Sequence, residues 1–436
     1  MRRSVRNSRS TLLGVVCSAL LAAPAILAPG AASAATALII GTTFLPDPTE
    51  PFYWHAAQDY YVTPTTVCGH QTCSFQPVLT PEQFWPASGP DDLTIDESIA
   101  VGTDIVNHAL RDQLSDGTDP IVLFGDSQSS SILTMEKREL AGLSETDKDR
   151  LTFVMVANPN RPNGGLLNRL AGITVPIIDL TGTGATPTNT GINTIDIAFQ
   201  YDGIADFPRY PLNLLADLNI LAGAYIHSSY SQGLNGYTEE ELINAINDPA
   251  NQQTYGDTTY VTIPAKQLPL LIPLRQLGEA TGTSAFITPF ADLIEPTLRV
   301  LVELGYDRSI PYGQPTGFGL FPHIDPRDLA SDLAGAAQQG VNAALVDLGV
   351  ITPPPAATPP KQTPDVPPAS SATVRPARQV PARAQSAAAH TPKKTAALTA
   401  ATPTKSVGEK ASAGVGGERT GGASRQAAHR SASRHP

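Results

Sequence analysis

Short runs of apolar residues recur along the chain, separated by longer stretches of mixed polarity. The first is Thr36-Ala37-Leu38-Ile39-Ile40, closed by Gly41, and its unbroken apolarity predicts a strand covered on both faces. Ile99, Val101, Ile105, Val106 and Leu110 then recur at helical spacing and predict a helix over 96–113. Asp119-Pro120 opens a second apolar strand over 121–124, stopped by Gly125, and a polar helix is expected over 128–142. Further strands are expected at 151–156, 175–180, 194–201 and 260–263, with a helix over 211–222. Strands alternating with helices predict an α/β architecture, a mostly parallel central sheet flanked by helices. Ligands of such sheets bind at the carboxyl ends of the strands. Leu268-Pro269-Leu270-Leu271-Ile272-Pro273-Leu274 is apolar but interrupted by prolines, so it reads as a poor helix, fit either for core packing or for lining an apolar channel or lid. Apolar positions from Leu293 to Val302 have helical spacing and read as core.

The two ends of the chain depart from this pattern. Arg2, Arg3, Arg6 and Arg9 precede an apolar run over 11–27, and Ala32-Ser33-Ala34 offers a small-residue cleavage site. Residues 1–34 therefore read as a signal peptide, cleaved near Ala35 or retained as an anchor, and the protein is expected to be secreted or associated with the cell envelope. Residues 352–436 contain no Phe, Trp or Tyr and hold 12 Lys+Arg against 3 Asp+Glu. Such a Pro/Ala-rich basic segment is expected to be disordered, and either touches an anionic envelope surface or serves only as a solubilising extension. Between the ends, residues 35–351 hold 13 Lys+Arg and 37 Asp+Glu, a net charge of −24. So acidic a body argues against a nucleic-acid partner, which would need a basic footprint. The expected division is a leader at 1–34, a domain at 35–310, a helical extension at 311–351 and the tail.

Export changes the reading of the cysteines. Beyond the leader only Cys68 and Cys73 remain, and in an oxidising compartment they read as one short-range disulfide. A zinc site using both thiols and His70 is the alternative, although no second ligand pair follows at finger-like spacing. No metal or organic cofactor is implied.

The chemical signal lies at Phe124-Gly125-Asp126-Ser127-Gln128-Ser129-Ser130, between an expected strand and an expected helix. That is the setting of a nucleophile elbow, in which a sharp turn lifts a serine hydroxyl above the sheet. The pattern here is G-x-S-x-S, with Ser129 where a second glycine is usual, and a Ser-rich helix cap is the plainer alternative. A serine nucleophile needs a base, and the base an orienting acid. After Ser127 the body holds two histidines, His227 and His323; the latter lies between prolines and reads as a turn residue and fallback base. The strand at 194–201 delivers Asp202 at its carboxyl end, giving the order Ser127, Asp202, His227 of an α/β-hydrolase triad. Asp206 is the rival acid, four residues later.

Gly125-Asp126-Ser127-Gln128-Ser129, Tyr201-Asp202-Gly203-Ile204-Ala205-Asp206-Phe207-Pro208, the run from Pro211 to Asn219, His227-x-x-Tyr230 and Tyr260-Val261-Thr262-Ile263-Pro264 together resemble the PE-PPE domain of mycobacteria and their relatives, over about residues 36–306. No N-terminal PE or PPE helical module precedes them; a leader takes its place. The resemblance implies a cutinase-like serine α/β-hydrolase with Ser127, Asp202 and His227 as triad, and the G-x-S-x-S form is a family variant. It implies an oxyanion hole built from the N–H of Gln128 and a donor at Thr42 or Thr43, and no cofactor. The expected substrate is a lipid or glycolipid ester, its acyl group passing to water or to a sugar hydroxyl. The alternative from another class is an inactive envelope protein that binds lipid or carbohydrate on a hydrolase fold.

Overall fold

The computed structural model describes residues 34–352. The expected leader and tail lie outside the described residues, apart from their boundary residues Ala34 and Thr352.

The first strand, β1 (Ala35–Ile40), leads through a tight loop into a helical stretch, α1 (51–65). Strand β2 (Cys73–Val78) and helix α2 (Ile95–Ser115) follow. The α2 start is a capping box: Thr94 Oγ1 accepts from Glu97 N–H while the Glu97 carboxylate accepts from Thr94 N–H. Next come β3 (Ile121–Asp126), α3 (Gln128–Glu139), β4 (Leu151–Val156) and β5 (Asn193–Phe199). Helices α4 (Leu214–Ala222) and α5 (Glu239–Asn247) precede a hairpin of β6 (Gln252–Tyr255) and β7 (Thr258–Ile263). The described chain closes with helices α6 (Ile272–Thr281), α7 (Ser284–Glu303) and α8 (Pro326–Asp347).

The sheet has seven strands in the order β2-β1-β3-β4-β5-β7-β6, and every neighbouring pair is parallel except β7 with β6. The α/β fold expected from the apolar runs is therefore present. Its residues alternate between two cores. Leu38, Ile40, Leu123, Phe153 and Met155 face α2 and α3 through Ile99, Val106, Leu110, Ile132 and Leu133. Ala37, Ile39, Val122, Phe124, Val154 and Ile197 face the other way, against α1, α4, α5 and α7. From β1 the chain turns to β2 on one side, and from β3 it proceeds to β4 on the other. The crevice between the carboxyl ends of β1 and β3 is thus the topological switch point, where a ligand is expected.

Two expectations need correction. The strand expected at 175–180 is instead a small hairpin, Thr174–Val175 with Leu180–Thr181, whose turn exposes Ile177. Pro176 cannot donate to a ladder, so this apolar run cannot serve as a central strand. The segment from Leu268, expected to resist helix, forms a turn at Pro269–Leu271 and then α6. Its prolines occupy first-turn positions, where no intrahelical N–H is needed. The elements β2, α1, α5 and β6 were not foreseen individually.

Candidate active site

Ser127 stands on the turn between β3 and α3, at φ 58° and ψ −110°. A non-glycine residue rarely holds that conformation, and the sharp strand-to-helix turn is the backbone setting that the sequence pattern leads one to expect. The turn is tight because Gly125 has no side chain: a Cβ there would lie 2.8 Å from the carbonyl carbon and oxygen of Ser129. Ser129 has a use that a glycine could not supply. Its Oγ donates to the Gly41 carbonyl at 2.5 Å and accepts from Asp126 N–H at 2.7 Å, joining the elbow to the loop after β1. Ser130 Oγ lies 2.8 Å from both the Gly125 and Val156 carbonyls.

The structure brings Ser127, His227 and Asp202 into one hydrogen-bonded line. Ser127 Oγ lies 2.8 Å from His227 Nε2, and His227 Nδ1 lies 3.0 Å from each oxygen of the Asp202 carboxylate. Asp202 follows β5 and is fully buried; His227 sits in the helical turn Ala224–Ser228 after α4, with its side chain 24% exposed. Ile204 N–H donates to Asp202 Oδ1, and Tyr230 O–H donates to Asp202 Oδ2 at 2.8 Å. Burial would raise the Asp202 pKa, but the charge of His227 and these hydrogen bonds outweigh it and hold the carboxyl below its ordinary value. Burial would likewise lower His227, yet the Asp202 charge and hydrogen bond prevail and raise it.

Asp206 is placed elsewhere. Arg308 grips its two oxygens at 2.5 and 2.9 Å, and Tyr201 N–H donates to it at 2.9 Å, so it serves as an ion-pair anchor. His323 lines a separate charged cleft between α7 and α8, beside Glu303 and Arg299. Thr42 N–H donates to the Leu45 carbonyl at 3.2 Å, closing the turn at 42–45, while Thr43, on the same turn, lines one cavity with Ser127. Gln128 opens α3; its side chain accepts from Ser98 Oγ and donates to the Gln83 carbonyl, which fixes it against the segment before α2. Cys68 and Cys73 are joined in a disulfide beside β2. Among the described residues no cluster of His, Cys, Asp or Glu could hold a metal ion.

Above Ser127 opens a cavity of about 640 Å³, walled by Leu45, Phe84, Ile99, Leu166, Leu167 and Ile204. Phe44 and Phe52 stand at its mouth, 58% and 41% exposed. Thr42, Thr43, Gln128 and His227 also line it, so the Ser127 hydroxyl, the His227 imidazole and the loop after β1 share one apolar chamber. Asp126 lines it too: burial pushes its pKa to about 7, and its Oδ1 has no hydrogen-bond partner. Glu82, whose carbonyl accepts from Phe44 N–H, is pushed by burial to about 8. Sequence reasoning gave Tyr230 no role beyond the His227-x-x-Tyr230 spacing and missed the Ser129 tie. Neither Asp126 nor Glu82 carries a local signal of burial.

The family model of the PE-PPE domain matches residues 72–307. The chain belongs to the PE-PPE domain family. This PE-PPE chain is 42% identical over 315 residues to Esterase PE16 of Mycobacterium tuberculosis (strain ATCC 25618 / H37Rv), an alignment covering 71% of this chain and 56% of that protein. It is 32% identical over 338 residues to the SL1278 acyltransferase Chp1 of the same strain, covering 74% of each. The chain spans about half the length of three curated relatives it matches, 52 to 56%. A solved cutinase-like protein from Cryptococcus sp. aligns at a TM-score of 0.30 and 15% identity, over 50% of this chain and 93% of that one.

Proposed function

We propose that the protein is an exported serine hydrolase or acyltransferase of lipid or glycolipid esters, working through an acyl-enzyme on Ser127. The observation that carries this reading is the line from Ser127 through His227 to a buried Asp202, ending in an apolar cavity. Relatives named as an esterase and as an acyltransferase support it. Among the described residues no helix is long and apolar enough to cross a membrane.

In this mechanism His227 Nε2 takes the Ser127 proton as Oγ attacks the ester carbonyl. Asp202 holds the Nδ1–H tautomer and stabilises the imidazolium, and Tyr230 holds Asp202. Negative charge gathers on the former carbonyl oxygen, which needs two positioned donors. Gln128 N–H is one; Thr43 supplies the other, because the Thr42 N–H is already committed to Leu45. The tetrahedral intermediate collapses, the ester C–O bond breaks, and His227 returns its proton to the departing alcohol. Water or a sugar hydroxyl then attacks the acyl-enzyme, with His227 again taking the proton, and Ser127 is freed.

Turnover of chromogenic esters of graded chain length, by the protein and its Ser127→Ala variant, tests this reading. The variant should lose at least about 10³-fold in kcat while keeping its fold. Undiminished turnover in the folded variant would refute it. A folded protein that turns over no ester, with or without a sugar acceptor, would favour the inactive lipid- or carbohydrate-binding alternative.

A further inference from the structure

Helix α4 is built inside out on its water side. Its inner face packs Ala216 and Asn219, both fully buried, and Asn219 Oδ1 accepts from Leu270 N–H at 2.9 Å. The outer face carries Leu214, Leu218 and Leu221, at 71%, 50% and 71% exposure. These positions are spaced i, i+4, i+7 and so form one stripe. Asp217, the one charged residue in the helix, flanks the stripe, three positions after Leu214 and four before Leu221, and adds a negative charge at its edge.

The stripe does not stop at the helix. Leu212 precedes it at 58% exposure, and the loop carrying exposed Leu320 and Phe321 is bonded alongside through Gly319 N–H to the Arg209 carbonyl. At the other end Tyr225 is exposed, and His227 and Ser228 then line the cavity mouth, where Phe44 and Phe52 are exposed as well. An apolar surface thus leads from α4 to the opening of the chamber above Ser127.

From this geometry we propose that the α4 stripe seats the protein on a neutral lipid surface, with the cavity mouth facing that surface. The inference rests on the acyl-transfer reading for its purpose, since an ester held in a lipid layer would then enter the chamber without crossing water. Contiguous exposed apolar surface marks an interaction site. Its occupant follows from three observations. The stripe holds no Lys or Arg and belongs to a body of net charge −24, so anionic headgroups would not draw it in. The tail beyond residue 352 has no aromatic, Ile or Met and one Leu, too little to fill the stripe. A second copy seated there would lie against the mouth and hinder substrate entry.

The test compares the full chain with its L214Q/L218Q/L221Q variant on neutral phosphatidylcholine vesicles, alongside turnover of a soluble short-chain ester and thermal melting. The variant should bind vesicles about a hundredfold more weakly or worse, since each leucine would lose its burial in lipid. Wild-type binding should persist at about 0.5 M salt, and ester turnover and melting should match between the two. Equal vesicle binding by a variant of unchanged melting temperature overturns the proposal. So does a wild type that ignores vesicles but dimerises through these leucines. If the triple variant unfolds, L214Q and L221Q singly should each weaken binding about tenfold. Should neither protein turn over the ester while the binding difference holds, the docking surface stands and the catalytic reading falls.

Discussion

Asp202 is the residue on which the line of hydrogen bonds depends. Its charge raises the His227 pKa against the opposing effect of burial. His227 must be neutral to act as base, so kcat/KM should fall as pH drops through that raised value, above the ordinary histidine value of about 6.5. In Asp202→Asn the cause of the rise is gone. The acid limb should then move to lower pH, and kcat should drop about 10³- to 10⁴-fold; a pH–rate profile of both proteins reads this directly. Tyr230 tests the support behind it. Tyr230→Phe leaves the buried Phe199 N–H without its 2.8 Å acceptor and leaves Asp202 Oδ2 with His227 Nδ1 alone. Stability should fall by about 1–3 kcal/mol in urea titration, with a loss of kcat that a purely structural role would not produce. Ser127, Asp202 and His227 could be picked from the sequence because strand ends are readable and histidines are few. The Tyr230 bond could not, since it depends on where two distant turns meet in space.

Among the elements, the β3–α3 turn depends on close backbone packing at Gly125. Gly125→Ala would drive a methyl group against the Ser129 backbone and Leu133, so we expect a loss of about 1–3 kcal/mol and a distorted Ser127, seen as a lower denaturation midpoint together with lower kcat. This turn was legible because an unbroken apolar strand ran into small residues. The central strands β1, β3, β4, β5 and β7 were legible for the same reason: buried on both faces, they need no polar alternation. Proline misled in both directions. At 176 it sat in an apolar run that became an exposed hairpin, and at 269 and 273 it marked the start of helical segments rather than a barrier. Helix α7 even carries Pro289 and Pro296 within its span. The Ala-rich α8 has too few large apolar residues for its periodicity to stand out.

Across the whole molecule, buried charge ties the far side of the sheet together. Arg161, 1% exposed, lies 3.5 Å from buried Asp196 on β5, donates to Thr262 Oγ1 on β7 at 2.7 Å, and stands over the rings of Tyr260 and Tyr312. Removing one partner of such a pair strands the other in a dry interior. Arg161→Met should therefore cost about 3–5 kcal/mol in urea-induced unfolding while leaving the Ser127–His227 geometry in place. No sequence pattern announced this pair, because its partners are 35 positions apart and each alone reads as a surface charge. The acidity of the body and the separate character of the two ends were visible in composition. The coming together of the β1 loop, the β3 turn and the segment after α4 required the sheet order.

In the proposed mechanism Ser127 is a nucleophile activated by His227. Labelling of the full chain with a fluorophosphonate reads this out, since an activated serine displaces fluoride from that probe and bonds to its phosphorus. Stoichiometric labelling at Ser127 is expected, abolished in Ser127→Ala and strongly slowed in His227→Ala. Labelling that persists unchanged in the folded Ser127→Ala variant would contradict it.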